Sequence, residues 1–177
     1  MDFEAEVAEL KAAIRDVPDF PRPGIVFKDI TTLLRDPALL RRAIDLLVAR
    51  AEDLRVDRVV AIESRGFLIG GALAHRLGTG LVPVRKPGKL PWRTIEASYE
   101  LEYGRDAVQM HEDALDRGDR VLVVDDVIAT GGTARATGEL VGRAGATVAA
   151  FVFLVELAFL GGRTRLAGHD VRALLRY

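Results

Sequence analysis

The chain has 177 residues, of which 49% are hydrophobic and 29% charged, with no cysteine and a formal net charge of -1. That length is enough for one domain with its own core, and the missing cysteine excludes disulfides, thiol nucleophiles and cysteine-held metals. The near-neutral charge gives no global attraction to nucleic acid or to an anionic membrane.

The first residues, Met1-Asp2-Phe3-Glu4-Ala5-Glu6, are acidic and have no apolar stretch behind them, unlike a signal peptide. The longest apolar run, Val148 to Val155, is too short to span a bilayer. The expectation is a soluble, cytoplasmic protein.

Taken in chain order, Phe3, Val7, Leu10 and Ile14 recur at helical steps, which predicts a helix over 2–15. Phe20-Pro21-Arg22-Pro23-Gly24 is a stiff turn leading into an extended Ile25-Val26-Phe27. Asp36-Pro37 opens a helix, with Asp as cap and Pro at the first position, that runs to about Leu54. Val59 to Ile62 is a buried strand, Gly66 to Leu77 a helix closed by Gly78, and Leu81 to Val84 a second strand.

Residues 86–95 hold three Pro or Gly residues among charges and form a loop. Residues 96–103 alternate, with Ala97, Tyr99, Leu101 and Tyr103 facing one way and Glu96, Ser98, Glu100 and Glu102 the other, as in a half-buried strand. Val121 to Val124 is a continuous apolar strand, followed by a turn at Ala129 to Thr133 and a helix to about Arg143. A strand over 147–155, a short helical stretch and a last strand from Val171 to Leu175 complete the chain. Strands alternating with helices predict an α/β fold, a mainly parallel twisted sheet flanked by helices, in a single domain over 1–177.

The chemistry concentrates in Val124-Asp125-Asp126-Val127-Ile128-Ala129-Thr130-Gly131-Gly132-Thr133. Two acids end a central strand, and a small glycine-rich loop then opens a helix. Ligands of open α/β sheets bind beyond the carboxyl ends of the strands. Exposed amides at a helix N-terminus attract phosphate, and glycines let the backbone approach it. The hydroxyls of Thr130 and Thr133 add donors. Carboxylates beside a phosphate cradle would repel a bare phosphate, so they need hydroxyls or a metal ion to face. A ribose 5-phosphate meets both needs.

Other signals are weak. His75, His111 and His169 lack metal-ligand spacing, and no Walker loop, nucleophile elbow or dinucleotide fingerprint is present.

The acidic strand end and its loop resemble the 5-phosphoribosyl-1-pyrophosphate (PRPP) signature of the type I phosphoribosyltransferases. Further blocks resemble the adenine-using branch of that family, in its order: Phe20 to Ile30, Glu63-Ser64-Arg65-Gly66-Phe67, Arg85 to Pro91, Tyr99 to Gly104, and Leu154-Val155-Glu156-Leu157. The resemblance implies the type I fold with a small N-terminal hood (about 18–34) and a flexible flap (about 86–104).

It further implies Mg²⁺-dependent transfer of a phosphoribosyl group from PRPP to adenine, giving AMP and pyrophosphate. The magnesium would be held mainly through PRPP and not by protein ligands. Asp125, Asp126, Ala129, Thr130, Gly131, Gly132 and Thr133 would bind PRPP and AMP. Ser64 and Arg65, with a cis peptide at the start of their loop, would meet the pyrophosphate together with Arg85, Lys86 and Lys89 of the flap. Val26, Phe27, Lys28 and Leu157 would hold adenine, by stacking and by reading the base edge. Glu102 would handle the adenine proton, although periodicity places Glu100 on the same face. The family implies a homodimer and neither a nucleic-acid nor a membrane partner. The competing readings are a PRPP-sensing regulator with DNA- or RNA-binding activity, and a transferase for 6-oxopurines or orotate.

Overall fold

The computed structural model describes residues 3–20, 22–101 and 104–177. The chain divides into two compact units, Met1–Leu46 and Leu47–Tyr177.

The first unit opens with helix α1 (Phe3–Ala13), whose Leu10 is buried while Phe3 stays exposed. Strand β1 (Arg15–Pro18) follows at once and pairs antiparallel with β2 (Val26–Asp29), Val17 opposite Phe27 and Pro18 opposite Val26. The sequence reading expected the extended segment at β2 but not its partner, because Arg15-Asp16-Val17-Pro18 has neither alternation nor β-branched enrichment. Between the strands, the Gly24 amide donates to Asp19 Oδ1 at 2.7 Å, and Gly24 has φ +84°, open to glycine at little cost. The Phe20 and Phe27 rings meet edge to face at 5.2 Å.

A short helix α2 (Thr31–Leu34) leads to α3 (Pro37–Ala49). Asp36 caps α3 as expected, accepting from the amides of Ala38 at 2.9 Å and Leu39 at 3.0 Å. The helix stops at Ala49, five residues short of the expected Leu54, after which the Ala51 amide turns back to the Val48 carbonyl at 2.8 Å.

The second unit is built on a five-stranded sheet of β3 (Arg58–Ile62), β4 (Gly80–Val84), β7 (Arg120–Ile128), β8 (Thr147–Glu156) and β9 (Val171–Arg176). Its spatial order is β4-β3-β7-β8-β9, and every neighbouring pair is parallel. Between β3 and β4 lies α4 (Gly66–Leu77), and between β7 and β8 lies α5 (Gly132–Arg143). Val121 to Val124 and Phe151 to Val155 are fully buried. Each large apolar side chain so buried stabilises the fold by about 1.5–3 kcal/mol, so β7 and β8 are the firmest part of the unit.

One hairpin joins β4 to β7. Its first strand, β5 (Thr94–Leu101), is the alternating segment of the sequence, with Ala97 and Tyr99 buried. Its second, β6 (Gly104–His111), is a strand that the sequence reading does not predict. Only Val108 and Met110 of β6 are buried, so its alternation is two residues deep and starts after the polar Arg105-Asp106.

The sheet order sets the position of the site. From β3 the chain moves outward to β4, and from β7 it moves the opposite way to β8. The carboxyl ends of β3 and β7 therefore sit side by side where the winding reverses, the crevice in which open α/β sheets bind ligands.

Candidate active site

Asp125 and Asp126 lie at the end of β7, and Ala129 to Thr133 form the turn into α5. Gly131 has φ +78° at the helix cap, and no side chain caps the helix, so the first-turn amides are left to a ligand. Gly132 is buried and Thr130 exposed. The loop is pressed from behind by the segment after β8. A Cβ on Gly131 would stand 2.4 Å from the Gly162 carbonyl oxygen, so only glycine fits there.

The second loop follows β3. The Glu63–Ser64 peptide is cis, and α4 begins two residues later. A Cβ on Gly66 would stand 2.8 Å from Asp125 Oδ1, so this glycine lets the start of α4 rest directly on the end of β7. Across that contact Arg65 donates from Nε to Asp126 Oδ2. The Asp126 side chain is only 6% exposed and the Arg65 side chain 40%.

Asp125 accepts the Asp126 amide at 2.8 Å. Burial first, and then the neighbouring Asp126 carboxylate, push the Asp125 carboxyl well above the usual range, with Arg65 opposing them. One edge of Asp125 still opens on the cleft, while dense packing surrounds the rest.

One cleft of about 230 Å³ gathers Arg65, Lys86, Asp125, Asp126 and the whole loop from Ala129 to Thr133. Glu63 also lines it, a residue given no role from the sequence. Its Oε2 accepts from Arg85 Nε at 3.1 Å and from the Lys86 amide at 2.8 Å, so it anchors the start of the flap segment. No periodicity marks Glu63; only its place at a strand end before Arg65 could have done so.

Lys86 Nζ donates to Tyr99 Oη at 2.7 Å and to Asp106 Oδ2. Burial alone would lower the Lys86 ammonium, but these hydrogen bonds outweigh it and raise it; burial would likewise raise Asp106, which the same bonds lower instead. Arg85 reaches the Lys89 carbonyl at 3.0 Å, and its guanidinium carbon lies 6.0 Å from the centre of the Phe67 ring.

Not every expected residue lines this cleft. Ser64, in the turn before α4, and Lys89 are both exposed and do not line it. Leu157 stands at the end of β8, donating its amide to the Ile128 carbonyl at 3.0 Å, beside the end of β7. Val26, Phe27 and Lys28 belong to β2 of the first unit; there Val26 is exposed, Phe27 half-buried, and Lys28 Nζ lies 2.6 Å from Asp16. Glu102 lies outside the described residues. Glu100 opens on a different cleft of about 600 Å³, shared with Ser98, Arg105, Arg135 and Arg165. Behind the loop, Glu156 is buried and held by Arg163 through Nε at 3.0 Å and Nη2 at 2.6 Å.

The described residues contain no group of three or more His, Cys, Asp or Glu able to cage a metal ion. Two aspartates at a phosphate cleft suit magnesium carried in on a ligand's own oxygens.

The phosphoribosyl transferase domain family matches residues 29–168. The adenine phosphoribosyltransferase of Anaeromyxobacter sp. (strain Fw109-5) is 58% identical over 177 residues, all of both chains. The structure of the adenine phosphoribosyltransferase from Thermoanaerobacter pseudethanolicus superposes with a TM-score of 0.95 at 48% identity, covering 97% of this chain and 99% of that one. The Saccharomyces cerevisiae enzyme, solved with adenine and an imino-altritol bisphosphate, superposes with a TM-score of 0.91 at 43% identity, covering 97% of this chain and 99% of that one. Fold, cleft and likeness over the full length converge, and the chain belongs to the type I phosphoribosyltransferases, among the adenine phosphoribosyltransferases.

Proposed function

We propose that this enzyme transfers the 5-phosphoribosyl group of PRPP to N9 of adenine, releasing AMP and pyrophosphate in purine salvage, with the work divided among its residues as follows. The 5-phosphate sits on the amides of Ala129 to Thr133, at the positive end of α5. The ribose hydroxyls donate to Asp125 and Asp126. The pyrophosphate faces Arg65 and Lys86, with Arg85 beside them. The observation that carries this reading is the single cleft that brings together two aspartates, an amide-lined turn and the cations Arg65 and Lys86.

Leaving-group charge grows as the bond from C1′ to the pyrophosphate oxygen lengthens, and cations fixed in place stabilise it without reorganising. Arg65 is the better placed of the two, because Asp126 already orients its planar fork. Magnesium, when bound, would add neutralising charge on the donor's oxygens; Asp125 and Asp126 are the carboxylates placed to steady it. Glu102 relays the adenine proton as N9 attacks from the opposite face. Phe27, Leu157 and the backbone of Val26 and Lys28 are the proposed contacts of the base; that the base is adenine is supported by the adenine bound by the yeast relative.

Leu68 on α4 and Leu81 on β4 are 57% and 44% exposed. A homodimer that covers them suits such apolar surface. The cytoplasm suits a chain without cysteine, and no helix among the described residues is long and apolar enough to cross a membrane.

The test is to incubate the protein with PRPP, Mg²⁺ and adenine, hypoxanthine or orotate in turn, and to look for the nucleotide. AMP and pyrophosphate should form with adenine alone. Nucleotide from hypoxanthine or orotate, with adenine inert, would overturn the assignment.

A further inference from the structure

We infer that Asp106 and Tyr99 are positioning residues that fix the Lys86 ammonium at the phosphate cleft, an inference that rests on Lys86 being a pyrophosphate contact. A lysine is a point charge on a flexible four-carbon stem, so by itself it holds no defined place. Here the place is defined by a closed triangle of bonds. Lys86 Nζ donates to Tyr99 Oη at 2.7 Å and to Asp106 Oδ2, and Tyr99 Oη donates in turn to Asp106 Oδ2 at 3.0 Å.

The proton directions are mutually consistent. The phenol accepts once and donates once, the carboxylate only accepts, and the ammonium gives two of its three protons. One N–H of Lys86 is left for a ligand oxygen.

The triangle is also anchored at both ends. Tyr99 and Asp106 are direct cross-strand partners in the β5–β6 hairpin, so their side chains leave the same face. The second oxygen of Asp106 accepts the Ala107 amide at 2.8 Å, which stops the carboxylate from turning. The Tyr99 ring is buried and lies against the phosphate loop, where a Cβ on Gly132 would come within 2.9 Å of its Cδ2. The hairpin thus sets Lys86 relative to the loop that takes the other end of the ligand. The upward shift of Lys86 and downward shift of Asp106 agree with a pair that stays ionised at neutral pH.

Steady-state kinetics of Asp106→Asn, Lys86→Met and the double variant, with PRPP varied, test the inference. Asp106→Asn should raise the KM for PRPP about five- to tenfold with kcat within about twofold, the size of one ordinary net hydrogen bond. In the Lys86→Met background the same change should add nothing. Tyr99→Phe, which keeps the ring against Gly132, should raise KM by a smaller factor that also vanishes without Lys86, and serves if Asp106→Asn fails to fold. An unchanged or lower KM in both Asp106→Asn and Tyr99→Phe, or their full factors persisting in Lys86→Met, would overturn the inference while leaving Lys86 as a contact. Unchanged PRPP kinetics in Lys86→Met itself would instead remove the underlying reading.

Discussion

Gly131 and Gly162 meet backbone against backbone: a Cβ on Gly162 would stand 2.9 Å from the Gly131 nitrogen and 2.2 Å from the Ala129 carbonyl oxygen. Gly162→Ala must therefore displace the phosphate loop. It should cost about 1–3 kcal/mol of stability, as overpacking does, and raise the KM for PRPP about tenfold or more. The neighbouring Gly161 has φ +65° but open space around it. Gly161→Ala should cost about 1–2 kcal/mol through its left-handed backbone and leave PRPP kinetics unchanged. Thermal melts and PRPP titrations of the two variants separate loop displacement from simple strain.

Asp125 sets function against stability. Its carboxyl binds a proton more readily in the folded chain than in the unfolded one, because of its burial and then the Asp126 charge. Stability at this position is therefore present at low pH and is lost as pH rises through the ordinary carboxylate range toward the raised value. Asp125→Asn should raise the melting temperature at neutral pH, with the gain shrinking as the solution is acidified. The same change should weaken PRPP binding, since an amide offers the ribose hydroxyls one acceptor oxygen in place of two. A variant no more stable than the parent at pH 7 would contradict the argument.

Glu156 shows the opposite sign. The Arg163 hydrogen bonds, ahead of opposing burial, hold its carboxyl below the usual glutamate range. Its contribution is present above the ordinary glutamate value and is lost as pH falls through the depressed one. Arg163→Ala strands a buried carboxylate and should cost about 2–4 kcal/mol near neutral pH, less than a fully buried pair because Arg163 is half open to water. The gap to the parent should narrow below about pH 4. Urea melts at pH 7 and pH 3.5 give both values.

Glu100, on β5, and Glu102 can be told apart by kinetics. Glu100 opens on the cleft of Arg105, Arg135 and Arg165, and does not line the cleft that holds Asp125, Asp126 and the loop from Ala129 to Thr133. Glu100→Gln should therefore keep kcat within about twofold. Glu102→Gln should lower it about a hundredfold or more and remove one limb of the pH–rate profile, as loss of a general acid–base group does.

What could be read from the residues was local and periodic. Val121 to Val124, the two aspartates and the glycine-rich turn announced both β7 and its loop, because a buried strand and a phosphate-facing turn each leave a contiguous signature. The start of α4 at Gly66 and its end at Gly78 were legible for the same reason. The hidden parts depend on residues far apart in the chain. Asp106 meets Lys86 across twenty positions, and Gly162 meets Ala129 across thirty-three, contacts that exist only once the strands are in register. β6 was hidden because just two of its side chains are buried, and β1 because a polar tetrapeptide ending in proline becomes a strand only beside β2. The role of Glu63 needed the flap segment folded back onto it.

Gly66 sets the start of α4 directly on the end of β7, where an added Cβ would meet Asp125 Oδ1 at 2.8 Å and the backbone of Val124 and Asp125 at 3.1 Å. The separation of the two turns is a fixed gauge, as invariant as the spacing of β3 and β7. On the proposed roles of the two turns, a donor sugar bearing a single phosphate would fill only one of them, and discrimination by length would then be built into the sheet itself.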